Sequence, residues 1–185
     1  MSLRRTLAAA LVAAAIVPAA AASALNDAES DTPPGNPRQA IYGDRIIDLS
    51  QGWDTAQACI ELTVETRCYR TDEELRRAHP DYFADAEHAP RAVCGNSLAL
   101  YDNTYHNTPV AYFTTRYVFH DLWLFSFDSK PSSYTIGGCS AAFFDGLSGA
   151  GNIYPGNTGA GASRTTMGTW SMVNWNNRVR SIYIY

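Results

Sequence analysis

The chain has 185 residues, with 14 basic and 18 acidic side chains and a formal net charge of −4. That balance excludes nucleic acid or an anionic membrane surface as its main partner. The length allows one well-buried core with a small additional segment.

Residues 1–24 carry the three parts of an export signal: Arg4 and Arg5, an alanine-rich apolar run over 7–17, and the small-x-small site Ala22-Ser23-Ala24. The run is shorter than the roughly 20 apolar residues needed to span a bilayer, and no later stretch reaches that length, so no membrane insertion is expected. Loss of Arg4 and Arg5 with the signal leaves 12 basic against 18 acidic residues, a net charge of −6. Cys59, Cys68, Cys94 and Cys139 all lie beyond the signal. An even cysteine count in an exported chain implies two disulfides, with three possible pairings. The expectation is a secreted, extracellular protein, monomeric, with neither nucleic acid nor membrane as partner.

Residues 25–40 are acidic, proline-bearing and poor in apolar side chains, and read as a flexible linker. Residues 41–93 follow as a small strand-hairpin plus helix segment. Cys59-Ile60-Glu61-Leu62-Thr63-Val64 alternates as a strand, Glu65-Thr66-Arg67 suits a turn, and a Cys59–Cys68 bridge would staple the hairpin. Thr71-Asp72-Glu73-Glu74 is a capping box, and its helix should stop at His79, before Pro80.

Residues 94–185 are strand and turn throughout. The clearest strands are Leu122-Trp123-Leu124-Phe125-Ser126-Phe127 and Ser181-Ile182-Tyr183-Ile184-Tyr185. The glycine-rich piece 146–161 is too long for a tight hairpin and predicts an extended surface loop, with strand character near Ile153-Tyr154. The region contains an internal repeat. Leu98-Ala99-Leu100-Tyr101-Asp102 matches Ala141-Ala142-Phe143-Phe144-Asp145, and 128–136 matches 176–184. A copy of about 45 residues cannot bury its apolar face alone, so two copies should pack as a β-sandwich.

Each copy resembles a Greek-key motif of the βγ-crystallin superfamily: a strand ending in Tyr-Asp or Phe-Asp, a glycine-bearing fold-over, then an (Asn/Asp)-(Asn/Asp)-x-x-(Ser/Thr)-Ser stretch. The resemblance implies a mainly β, two-motif Greek-key sandwich preceded by the disulfide-stapled α+β segment. Within that superfamily, the signal peptide and disulfides resemble the small secreted metalloproteinase inhibitors of actinomycetes, which implies inhibition of an extracellular protease by steric occlusion. The polar stretch implies calcium. Asp128 and Ser132 suit a weak calcium site, but Ser129 replaces an acid or amide, and Arg180 stands where the second copy should offer a hydroxyl. Those inhibitors present their reactive loop between closely spaced, disulfide-linked cysteines, a pair this region lacks. Cys94 and Cys139 begin equivalent strands and are expected to cross-link the copies.

No catalytic constellation emerges, and the chain is not expected to be an enzyme. His120-Asp121 are neighbours on a strand and should face opposite ways, and Gly146-Leu147-Ser148-Gly149 is not a nucleophile elbow. Tyr154, Trp170 and Met172 are expected to form an exposed patch for a protein or glycan partner. The alternative to protease inhibition is a weakly calcium-binding structural or cell-envelope module.

Overall fold

The structure, a computed structural model, describes residues 38–83 and 98–185. The expected signal peptide, most of the linker, and Cys94 lie outside the described residues. The chain is mainly β. Among the described residues the strands form one eight-stranded sheet, one three-stranded sheet and a two-stranded hairpin.

The first described element is a hairpin of β1 (Gln39–Tyr42) and β2 (Arg45–Asp48), paired in register from Gln39↔Asp48 to Tyr42↔Arg45. Its two-residue turn is Gly43-Asp44, with Gly43 at φ +66°, a left-handed conformation that glycine adopts without steric cost. A second hairpin joins β3 (Ala58–Glu61) to β4 (Thr66–Tyr69), placing Cys59 directly opposite Cys68. The two are disulfide-bonded. The turn falls earlier than expected: the Leu62 N–H donates to the Glu65 carbonyl at 2.8 Å, and Thr66 already belongs to the strand.

Helix α1 (Asp72–Ala78) starts at the capping box. Thr71 Oγ1 accepts from the Glu74 N–H at 3.1 Å, and Glu74 Oε2 accepts from the Arg70 N–H at 3.2 Å, one residue earlier than a reciprocal box would place it. His79 ends the helix, ahead of Pro80. Only Leu75 of α1 is buried.

The two copies then unfold in parallel. The first supplies β5 (Leu98–Tyr101), β6 (Val110–Phe113), β7 (Phe119–Asp121) and β8 (Ser133–Thr135). The second supplies β9 (Ala141–Phe144), a bridge at Ile153, β10 (Ser163–Arg164) and β13 (Ser181–Ile184), with the small hairpin β11 (Thr169–Trp170) and β12 (Val173–Asn174) inserted. Within the first copy the fourth strand lies beside the first and the first beside the second, in the order β8-β5-β6. The second copy repeats that order as β13-β9-Ile153. The third strand of each copy leaves home: β7 pairs with β13, and β10 pairs with β8.

Leu122-Trp123-Leu124-Phe125-Ser126-Phe127 is not the strand its composition predicts. Leu122–Phe125 form a 3-10 turn ended by Ser126 at φ +51°. Three residues per turn place Leu122 and Phe125 on one side, where both are buried, while Trp123 is partly exposed.

The segment before the repeat is built into the sheet. β3 pairs in parallel with β6, from Ala58↔Val110 to Glu61↔Phe113, and β1 pairs in parallel with β4. One face of the large sheet meets the small sheet across a core that includes Leu100, Phe113, Tyr134, Phe143 and Ile182. The opposite face gathers Ala58, Ile60, Ala99, Tyr101, Val110 and Tyr112 under Leu75 of α1. β5 and β6 are therefore buried on both faces, which is why Leu-Ala-Leu-Tyr and Val-Ala-Tyr-Phe run apolar without alternation. A polar clasp fixes the helix: Tyr112 Oη donates to Asp72 Oδ1 at 2.6 Å, and Arg76 donates to Tyr112 Oη at 2.7 Å and to Asp72 Oδ2 at 2.9 Å.

Candidate functional site

The repeat is exact enough in three dimensions to build a seam. In the first copy the buried Ser133 hydroxyl donates to the Asn103 carbonyl at 2.6 Å and accepts from the His106 N–H at 3.1 Å. Its counterpart Ser181 donates to the Gly146 carbonyl at 2.7 Å and accepts from the Gly149 N–H at 3.0 Å. Each serine pins the fold-over turn of its own copy, where Tyr105 and Ser148 hold the left-handed conformation.

The copies then clasp each other through reciprocal backbone bonds. The Ser129 N–H donates to the Val179 carbonyl at 3.0 Å, and the Asn177 N–H donates to the Pro131 carbonyl at 2.9 Å. Ser129 and Asn177, equivalent positions, are both left-handed at φ +55° and +57°.

On this frame the side chains expected to serve calcium have other partners. Arg180 donates from Nε to Asp128 Oδ1 at 3.0 Å and from a terminal nitrogen to Oδ2 at 3.1 Å. A cation at Asp128 would have to displace a guanidinium, so the residues at that end of the seam do not fit one. At the other end Ser132 Oγ donates to Asn177 Oδ1 at 2.6 Å and lies 3.4 Å from the Lys130 carbonyl. Three uncharged oxygens from both copies converge there. Among the described residues there is no cluster of three or more His, Cys, Asp or Glu side chains that could hold a metal ion.

A second acid was absent from the expected site. Asp145 accepts from the Asn152 N–H and side-chain amide at 2.6 and 3.0 Å and from Arg178 at 2.6 Å, closing the base of the 146–161 loop. Burial alone would raise the Asp145 carboxyl, but the Asn152 and Arg178 hydrogen bonds outweigh it and hold the group below its ordinary value.

The expected exposed patch is corrected. Tyr154 is buried, stacked on Phe143 and edge-on to Tyr134 and Trp175, with its hydroxyl directed at the Met167 carbonyl at 3.3 Å. Gly156 makes room for the ring, since an added Cβ would lie 2.3 Å from it. Trp170 is half-buried against Tyr154 and under the Arg164 guanidinium. Met172 alone stands clear, 98% exposed.

It does so at the apex of the β11–β12 hairpin. Trp170↔Val173 close a two-residue turn whose members Ser171 and Met172 are both left-handed, at φ +47° and +66°. Such turns normally take Asn or Gly, because other side chains meet steric strain of about 1–2 kcal/mol per residue. The base is tied down: the Trp175 N–H donates to the Gly168 carbonyl at 2.8 Å, Trp170 Nε1 donates to the Met167 carbonyl at 3.0 Å, and Asn176 Oδ1 accepts from the Gly168 N–H at 3.0 Å.

His120 and Asp121 face apart, as adjacent strand residues must. His120 Nε2 meets the Thr115 carbonyl at 2.9 Å, while Asp121 accepts from the N–H and hydroxyl of Ser148 at 2.6 and 2.9 Å. Cys139 is also disulfide-bonded.

No protein-family model matches the chain, and no curated protein matches it. Among solved structures it is similar to a beta gamma crystallin from Ciona intestinalis, at 14% identity and a TM-score of 0.39, over 48% of this chain and 99% of that one. No helix of the described residues is long and apolar enough to cross a membrane.

Proposed function

We propose that this chain is an exported, non-enzymatic binding module made of two βγ-crystallin-like Greek keys, and that it occludes an extracellular protease by offering Met172 to an apolar subsite. Support for the Greek-key reading is the fourth-first-second strand order in each copy, with the third strand lent to the other sheet. Support for export is the signal at 1–24, together with the Cys59–Cys68 disulfide, a bond that persists in oxidising compartments.

The observation that carries the binding role is the Met172 turn. A flexible, polarisable side chain stands free on a hairpin whose backbone is strained and whose base is cross-tied to the core. Strain of this kind gathers at ligand clamps. A fixed tip also loses little entropy on docking, which favours a steric inhibitor over a flexible loop. The test is residual activity of secreted metallo- and serine proteases incubated with the protein and with Met172→Asp. Stoichiometric inhibition of one protease, lost in the variant, is the expected result. Full activity of every protease removes inhibition, and inhibition retained by Met172→Asp removes the hairpin as its site.

A second reading is favoured by the convergence of Ser132 Oγ, Asn177 Oδ1 and the Lys130 carbonyl. Calcium takes six to eight oxygens, so three uncharged ones support only weak binding, which would brace the seam. A calcium titration that leaves the melting temperature unchanged removes this reading, because an ion bound to the folded state must stabilise it.

A further inference from the structure

A cleft of about 550 Å³ opens where β1, β2 and β4 meet, lined by Tyr42, Arg45, Thr55, Arg67, Tyr69 and Arg70, with Glu74 at its rim. That volume is in the range of small-molecule sites. Arg45, Arg67 and Arg70 line it, with Asp54 and Glu65 ion-paired to the first two.

Their neighbours leave donors available. Arg45 is engaged through one terminal nitrogen by Asp54 at 2.5 Å, and Arg67 through Nε by Glu65. A guanidinium carries five N–H donors, so each pair leaves several free. Arg70 donates only its backbone N–H, to Glu74, and its side chain has no ion pair among the described residues. Tyr42, its hydroxyl on Thr55 Oγ1 at 2.8 Å, gives the cleft an aromatic wall, while the Tyr69 hydroxyl meets His79 Nε2 at 2.7 Å on the side of α1.

The spacing restricts what can bind. Arg45 is registered opposite Tyr42, and Tyr42 opposite Cys68, so these three share one face while Arg67 and Tyr69 turn to the other. Arg45 and Arg70, just past the end of β4, stand two strands apart, roughly 10 Å or more at the backbone. A single two-oxygen group would satisfy one fork, whereas a ligand with separated carboxylates can engage forks on both sides, in the bidentate geometry guanidinium favours.

We propose that this cleft binds a small polycarboxylate, held by Arg45 and Arg70 beside the Tyr42 ring. The proposal is independent of the Met172 hairpin. The test is calorimetric titration of the oxidised protein with citrate, against sodium chloride of matched ionic strength. Saturable binding is expected, weakened at least about tenfold by Arg70→Ala and by Arg45→Gln, and unchanged by Arg77→Ala, a cation outside the cleft. Absence of saturable binding, or equal affinity in all variants, overturns the proposal. Inorganic phosphate binding more tightly than citrate overturns the assignment to carboxylates.

Discussion

Arg180 of the second copy grips Asp128 of the first across 52 residues, with Nε 3.0 Å from Oδ1. The repeat aligns Arg180 with Ser132, so one end of the seam carries a guanidinium where the other carries a hydroxyl. A built-in cation thus joins the two copies at the position where the resemblance implies calcium.

Replacing that cation should change the response to metal. In Arg180→Ser, Asp128 is freed and a hydroxyl returns, so added calcium should raise the melting temperature further than in the unaltered protein. The check is thermal unfolding with calcium and with chelator. Equal shifts in both proteins would count against the seam's being closed by Arg180.

Ser133→Ala and Ser181→Ala should destabilise by similar amounts, about 1–3 kcal/mol each, because each removes two part-buried hydrogen bonds that pin a fold-over turn. Denaturant unfolding of the pair would measure it. A large loss from one and none from the other would mean that the two turns are not equivalent.

Met172→Gly should relieve the left-handed strain and raise stability by up to about 1 kcal/mol while removing the exposed side chain. Stability and protease inhibition should therefore move in opposite directions, the first read from urea midpoints and the second from residual protease activity. A clear fall in stability would show that the turn is not strained.

Asp145 sets a pH dependence. Its folded pKa is depressed below the ordinary 3.8, so its contribution is present above that value and is lost as pH falls through the folded pKa. The protein should lose stability below about pH 4, and Asp145→Asn should flatten that part of the profile. Parallel profiles in the two proteins would exclude Asp145 as the titrating group.

Cys59→Ser with Cys68→Ser should cost about 2.5 kcal/mol, the loop-closure entropy of a nine-residue separation. Guanidinium midpoints of variant and parent give the value. A near-zero cost would mean that the β3–β4 pairing is already fixed by its place in the sheet.

Parts of the site were legible in the residues and parts were not. Met172 was singled out, and its exposure is real, but Tyr154 beside it in the same expectation is core. Its neighbours Pro155 and Gly156 look like surface loop, yet the ring fills the gap that Phe143, Tyr134 and Trp175 leave. Gly43-Asp44, between Ile41-Tyr42 and Arg45-Ile46, was a hairpin signal inside a stretch read only as linker and small unit. The cleft arginines had no signal, because Arg45 and Arg70 come to one cleft only through the pairing of β1 with β2 and β4.

The amino-acid sequence by itself determined what short-range chemistry can encode. The Thr71 cap, the stop before Pro80, the Cys59–Cys68 staple and the twofold repeat each depend on groups within a few residues, or on a pattern that recurs. Tertiary structure alone decided which faces are covered. β3 meets β6 across about fifty residues, α1 lies over β3 and β4 and is clasped to Tyr112 of β6, and the exchanged strands β7 and β10 bring Arg180 to Asp128. Leu122 to Phe127 shows the reason: a run that satisfies a strand's composition coils as a 3-10 turn, because burial of Leu122 and Phe125 against distant partners outweighs local preference.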